Sequence, residues 1–91
     1  MKYERVNGQR IACYDDGKSG DRYTVVYLDE PDGRKLRCYA AVGMSAAPFH
    51  PQGIGQHCMA TVGRHLGKRI KFVDLPEDCR RLVNRDTQVG T

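Results

Sequence analysis

Two clusters of turn-forming residues, Asp15-Asp16-Gly17-Lys18-Ser19-Gly20-Asp21 and Glu30-Pro31-Asp32-Gly33, bracket the run Tyr23-Thr24-Val25-Val26-Tyr27-Leu28. The bracketed run is dense in β-branched and aromatic side chains, so it reads as a strand closed by a turn at each end. Upstream, Val6 is followed by Asn7-Gly8, the strongest short hairpin signal, and then by Arg10-Ile11-Ala12-Cys13-Tyr14. Downstream, residues 35–42 return as a third strand. In it Leu36, Cys38 and Ala40 face inward, and Lys35, Arg37 and Tyr39 form a basic, aromatic outer face.

The second half changes character. Residues 45–55 hold two prolines and two glycines with Phe49, His50 and Gln52, which suits an ordered loop pinned by Phe49. From 56 to 66 the apolar positions Cys58, Met59, Val62 and Leu66 recur at helical spacing and Gly67 supplies a stop, which predicts a short helix. Arg69-Ile70-Lys71-Phe72-Val73 alternates basic and apolar residues, which predicts a fourth strand with Arg69 and Lys71 outward. A second helix is expected over 76–85. Asp74 would cap it, Pro76 suits its first turn, and Glu77 would complete a capping box. Cys79, Leu82 and Val83 then pack down, Arg80, Arg81 and Arg85 point to solvent, and residues 86–91 fray. The expected fold is α+β: one domain over 1–91, with a small antiparallel sheet of three to four strands and two short helices.

With 40% hydrophobic and 29% charged residues in 91, the chain is of globular composition. Met1-Lys2-Tyr3-Glu4-Arg5 lacks the apolar stretch of an export signal, and the longest apolar run, 38–44, is far short of a membrane span. A cytoplasmic protein that does not touch the membrane is expected. Cys13, Cys38, Cys58 and Cys79 stand singly, which fits reduced, mostly buried thiols.

Charge carries the functional signal. Positions 33–73, forty-one residues, contain no Asp or Glu, yet they hold Arg34, Lys35, Arg37, Arg64, Lys68, Arg69, Lys71 and all three histidines. Together with a net charge of +4, this points to an electropositive surface facing a negatively charged partner. The expected binding residues are those seven cations with His50, Gln52 and His57 as polar recognition groups.

Competing chemistries lack their signatures. His50, His57, Cys58 and His65 fall within sixteen residues but show no paired zinc-ligand spacing, so no metal is expected. Gly53-Ile54-Gly55 is not part of a phosphate-cradling loop, and no catalytic constellation is complete. The chain reads as a cofactor-free binding protein rather than an enzyme. Direct RNA or DNA binding is the alternative, with Tyr39 and Phe72 available to stack bases.

The series Asp21-Arg22-Tyr23-Thr24-Val25-Val26, Gly43-Met44-Ser45, Pro48-Phe49-His50-Pro51-Gln52-Gly53, Gly55-Gln56-His57, His65-Leu66-Gly67-Lys68-Arg69-Ile70 and Asp74-Leu75-Pro76-Glu77-Asp78-Cys79 resembles a family of short, uncharacterised phage and prophage proteins. The resemblance spans residues 15–83. The chain departs from the family's pattern at Ile54, where a bulky aromatic is usual, and in a shortened stretch between His57 and His65. The resemblance implies a phage setting and a host-takeover or anti-defence role, including that of an anti-CRISPR protein. The expected partner is then a host protein or ribonucleoprotein, a CRISPR surveillance complex above all, contacted with its guide RNA by a monomer inside the bacterial cell. Target DNA entry would be blocked.

Overall fold

The computed structural model of the protein describes residues 3–18 and 20–88. Asn7 and Gly8 take the positive φ angles, 51° and 81°, that a tight hairpin needs. They join β1 (Glu4–Val6) to β2 (Gln9–Asp15) with Val6 opposite Gln9 and Arg5 opposite Arg10. Antiparallel pairing continues from β2 to β3 (Tyr23–Pro31), from β3 to β4 (Cys38–Met44) and from β4 to β5 (Gly55–Thr61). The chain then crosses back, and β6 (Lys68–Ile70) pairs antiparallel with the free side of β2. Because β1 covers β2 at residues 9–11 and β6 covers it at 13–15, two short strands share one edge of a six-stranded sheet whose other edge is β5. Among the described residues one α-helix, α1 (Glu77–Thr87), completes the α+β fold.

Strand alternation splits the core between the two sheet faces. On one face Ile11, Val25, Val42 and Met44 pack with Leu75 and with Cys79, Leu82 and Val83 of α1. On the other, Ala12, Tyr14, Val26 and Ala41 pack with Val62 and Leu66 from the crossover between β5 and β6. Each Leu or Val so buried contributes about 1.5–3 kcal/mol, so Leu82 and Val83 hold α1 to the sheet. Thr87 ties down its far end. The buried Thr87 hydroxyl donates to the Val83 carbonyl at 2.8 Å and accepts from Asn7 Nδ2 at 3.0 Å. The same Asn therefore shapes the first turn and anchors the helix.

The sheet has more strands, and the chain fewer helices, than the sequence predicts. Residues 55–61 form β5 rather than a helix, because the open edge of β4 offers a seven-residue ladder. The helical spacing of Cys58 and Met59 reflects no buried stripe, since both are exposed. Only a 3-10 turn, Arg64–Leu66, falls in the second half of the expected helix. The third strand is displaced too. β3 runs on to Pro31, the turn occupies 32–37, and Leu36 stands 94% exposed at its tip instead of facing inward. The basic outer face expected for Lys35 and Arg37 is therefore a turn, with Arg37 at φ 61°.

The fourth strand is the three residues of β6, and Phe72–Asp74 form a separate 3-10 turn. That turn occupies Asp74, whose carboxylate accepts the Lys71 N–H at 3.2 Å. The cap of α1 is Pro76 instead, and the expected Asp74–Glu77 box does not form. Asp86 and Thr87 belong to α1 rather than to a frayed tail, and residues 89–91 lie outside the described residues.

Candidate functional site

The β1/β6 edge brings together side chains from three parts of the sequence. Tyr3 stands 45% exposed just before β1, with the guanidinium carbons of Arg5 and Arg10 at 5.7 and 5.6 Å from its ring centre. The hairpin register creates that arrangement by setting Arg5 opposite Arg10. Further along the edge, β6 places Arg69 opposite Tyr14 with its guanidinium carbon 5.3 Å from the ring centre. Between the two lies a groove of about 670 Å³ lined by Tyr3, Lys68, Arg69, Ile70 and Lys71, with Glu4 and Asp74.

Both of the groove's carboxylates accept backbone N–H groups. Glu4 Oε2 accepts the Phe72 N–H at 2.7 Å, and Asp74 accepts that of Lys71. Among the described residues no carboxylate comes within ion-pair distance of Lys68 or Lys71. Arg10 differs, since its Nε meets Asp29 Oδ1 at 2.6 Å, a bond that lowers the Asp29 carboxyl below its ordinary range. Asp15 is likewise held low, first by its bond from Arg22, then by the Gly17 N–H, and least by the charge of Lys68. The edge is thus positive but not uniformly so. Arginines beside the tyrosine rings, together with the two lysines, can meet phosphates or other anions. Of the two rings only that of the half-exposed Tyr3 offers surface for a planar group, Tyr14 being buried in the core.

The ten residues singled out by sequence do not gather into one patch. Lys68, Arg69 and Lys71 share the β6 edge. Arg34 and Lys35 sit in the turn after β3. Because Lys68 lies opposite Asp15 and Asp15 opposite Tyr23, the eight steps of β3 from Tyr23 to Pro31 put that turn about 26 Å away along the strand. Arg37 and Arg64 flank the end of the β4–β5 ladder, where the Val62 N–H donates to the Arg37 carbonyl at 2.9 Å. His50 and Gln52 brace their own loop, His50 Nδ1 accepting the Gln52 N–H at 3.1 Å. His57 is on β5, four strand spacings or about 19 Å from β6.

The imidazole of His57 is engaged locally. Its Nε2 lies 2.6 Å from Asp86 Oδ2, the oxygen that also accepts the Tyr27 hydroxyl at 2.7 Å. Burial first, and that bond second, push the Tyr27 hydroxyl above its ordinary range, so it remains a donor. Among the described residues no three His, Cys, Asp or Glu side chains converge as a metal site, and all four thiols are free. Burial raises Cys13 to about 12 and Cys79 to about 11, and Cys79 donates to the Ser45 carbonyl. Cys58 alone is exposed. Phe49 does help to pin the loop, lying against α1 with the guanidinium carbons of Arg81 and Arg85 at 5.5 and 5.4 Å from its ring. Gly53 is required there, because a Cβ would stand 1.9 Å from the Ala47 carbonyl oxygen.

Sequence reasoning passed over Tyr3, Arg5 and Tyr14. All three precede the acid-free run, yet the Asn7-Gly8 turn already fixes Arg5 opposite Arg10. Comparison with family models, curated proteins and solved structures returns no match.

Proposed function

We propose that the protein is a phage-encoded inhibitor that acts by occupying a surface. Its β1/β6 edge docks on the RNA-bearing face of a host ribonucleoprotein in the bacterial cytoplasm, a CRISPR surveillance complex, and blocks entry of target DNA. The observation that carries this reading is the presence of Lys68 and Lys71, without ion-paired carboxylates among the described residues, beside Arg69, Tyr3 and Arg5 on one sheet edge. Lysines supply mobile point charges for phosphates, and the planar arginines give orientation. A DNA mimic would need the opposite sign of charge. The action is binding without chemistry.

A second reading, direct binding of single-stranded RNA or DNA, is favoured by one feature. The half-exposed Tyr3 ring with two guanidinium groups close to it is a base-stacking platform in miniature.

The test is target-DNA binding by guide-loaded surveillance complexes, followed by gel shift with and without the protein. Wild type is expected to abolish the shift, and the triple variant Lys68→Glu, Arg69→Glu, Lys71→Glu to leave it intact. Inhibition that survives the triple reversal contradicts the assignment. A parallel titration of naked single-stranded RNA at physiological salt separates the readings, because only the second requires binding there.

A further inference from the structure

The opposite edge of the sheet has a property that the cationic edge lacks. The Ser45 N–H donates to the Ile54 carbonyl, and the Val62 N–H to that of Arg37. In an antiparallel ladder the residue pairs that exchange hydrogen bonds recur at every second position. These two contacts therefore make Gly43–Gln56, Ala41–Cys58 and Tyr39–Ala60 the exchanging pairs of β4 and β5. It follows that Gly55, His57, Met59 and Thr61 turn their N–H and C=O groups away from β4. No strand lies beyond them among the described residues.

We infer that this edge pairs with the β5 edge of a second copy of the chain, antiparallel and two-fold symmetric, with the axis at Cys58. In that register His57 faces Met59 of the second copy and Gly55 faces its Thr61. All four outward residues on each copy are then satisfied, giving eight hydrogen bonds, two for each of the four facing pairs. Centring the axis on His57 or Met59 leaves an outward residue of each copy facing beyond the strand. An axis between residues opposes outward groups to inward ones. Strand length and hydrogen-bond parity together select Cys58.

Charge identifies the occupant as another copy. Residues 38–63, twenty-six in a row, contain no Asp, Glu, Lys or Arg, so β5 carries no lysine, arginine or carboxylate of its own, and its one imidazole, His57, is held by Asp86. Two molecules of net charge +4 repel, and an edge without lysine or arginine lets their backbones meet without setting those cations against one another. β5 also lacks the lysines, prolines and bulges with which solitary domains block an edge. Met59, 52% exposed, would pack across the join against the facing imidazole. The sequence-level expectation of a monomer gives way to a pair in which one sheet runs through both copies. Nine strand spacings then separate the two β1/β6 edges by about 43 Å. The inference does not depend on what those edges bind.

Sedimentation equilibrium and cysteine cross-linking of the whole chain test it. At tens of micromolar the reduced wild type is expected at twice the 10.3 kDa chain mass, and Met59→Lys at the single mass with an unchanged far-ultraviolet circular dichroism spectrum. Facing residues at a non-exchanging pair have Cβ atoms about 4.5–5.5 Å apart, so mild oxidation of wild type with a copper–phenanthroline catalyst and dissolved oxygen should join Cys58 to its symmetry mate. Each bond takes one electron and one proton from each thiol. The double variant Gln56→Cys, Cys58→Ser moves the thiol two residues off the axis and should not cross-link. A monomeric wild type overturns the proposal, as does a dimer that persists in Met59→Lys. Cross-linking through position 56 in preference to 58 overturns it as well.

Discussion

The two edges of this sheet are built from the same backbone and differ in almost every other respect. The β1/β6 edge is made of two three-residue strands from distant parts of the chain, and it carries Arg5, Lys68, Arg69 and Lys71 with two tyrosine rings. The β5 edge is one unbroken seven-residue strand without a lysine, arginine, aspartate or glutamate. Interrupted, cationic edges repel further strands and attract anions, whereas long neutral ones invite strand pairing. The contrast teaches that sign and continuity, rather than strand pairing as such, decide what each edge can accept.

The largest expected effect comes from reversing the cationic edge. Lys68→Glu, Arg69→Glu, Lys71→Glu should weaken binding to a guide-loaded complex by about 100-fold or more in an anisotropy titration, because three favourable phosphate contacts become repulsive. Its oligomeric mass should not move; a change there would mean that the edges are coupled. The converse substitution, Met59→Lys, should raise the dimer dissociation constant at least about tenfold and leave affinity per chain intact. Tyr3→Ala should cost about fivefold in RNA affinity, the lower end of the 1–3 kcal/mol measured per stacked base, because Arg5 and Arg10 already occupy much of the ring. No loss would remove the stacking reading.

The smallest effect separates the edges from the core. Cys13 and Cys79 ionise at about 12 and about 11 in the folded chain, against about 8.5 for an exposed thiol. Their folded-state pKa values are raised, so the stability they contribute is complete below about pH 8.5. It is lost as the unfolded chain sheds those protons first. The thermal midpoint is therefore expected to fall between about pH 9 and pH 11 by calorimetry, equally in wild type and in Cys58→Ser. A fall that disappears in Cys58→Ser would place the alkaline sensitivity on β5 instead.

What could be read from sequence was what local chemistry settles. The Asn7-Gly8 hairpin, the Tyr23–Leu28 segment of β3 and the packing face of α1 each follow from turn residues or periodicity within a few positions. β5 could not be read this way, because its helical spacing was incidental and the ladder to β4 outweighed it. The candidate site was half legible. Lys68, Arg69 and Lys71 stay together because they lie on or directly beside the short β6, but Arg34 and Lys35, near neighbours in the acid-free run, are carried far away by the length of β3. The acid-free run also concealed a second signal. Its cations all lie near the ends, leaving a neutral interior that forms β4, the loop and β5.

The most direct test of the claim that the β1/β6 edge is the anion-contacting surface is the salt dependence of binding to a guide-loaded surveillance complex. Three cations meeting single-stranded RNA phosphates give a slope of log affinity against log salt of about −2, and the triple reversal should flatten it toward zero. A slope as steep in the triple variant as in wild type, or a flat one in both, would contradict the assignment.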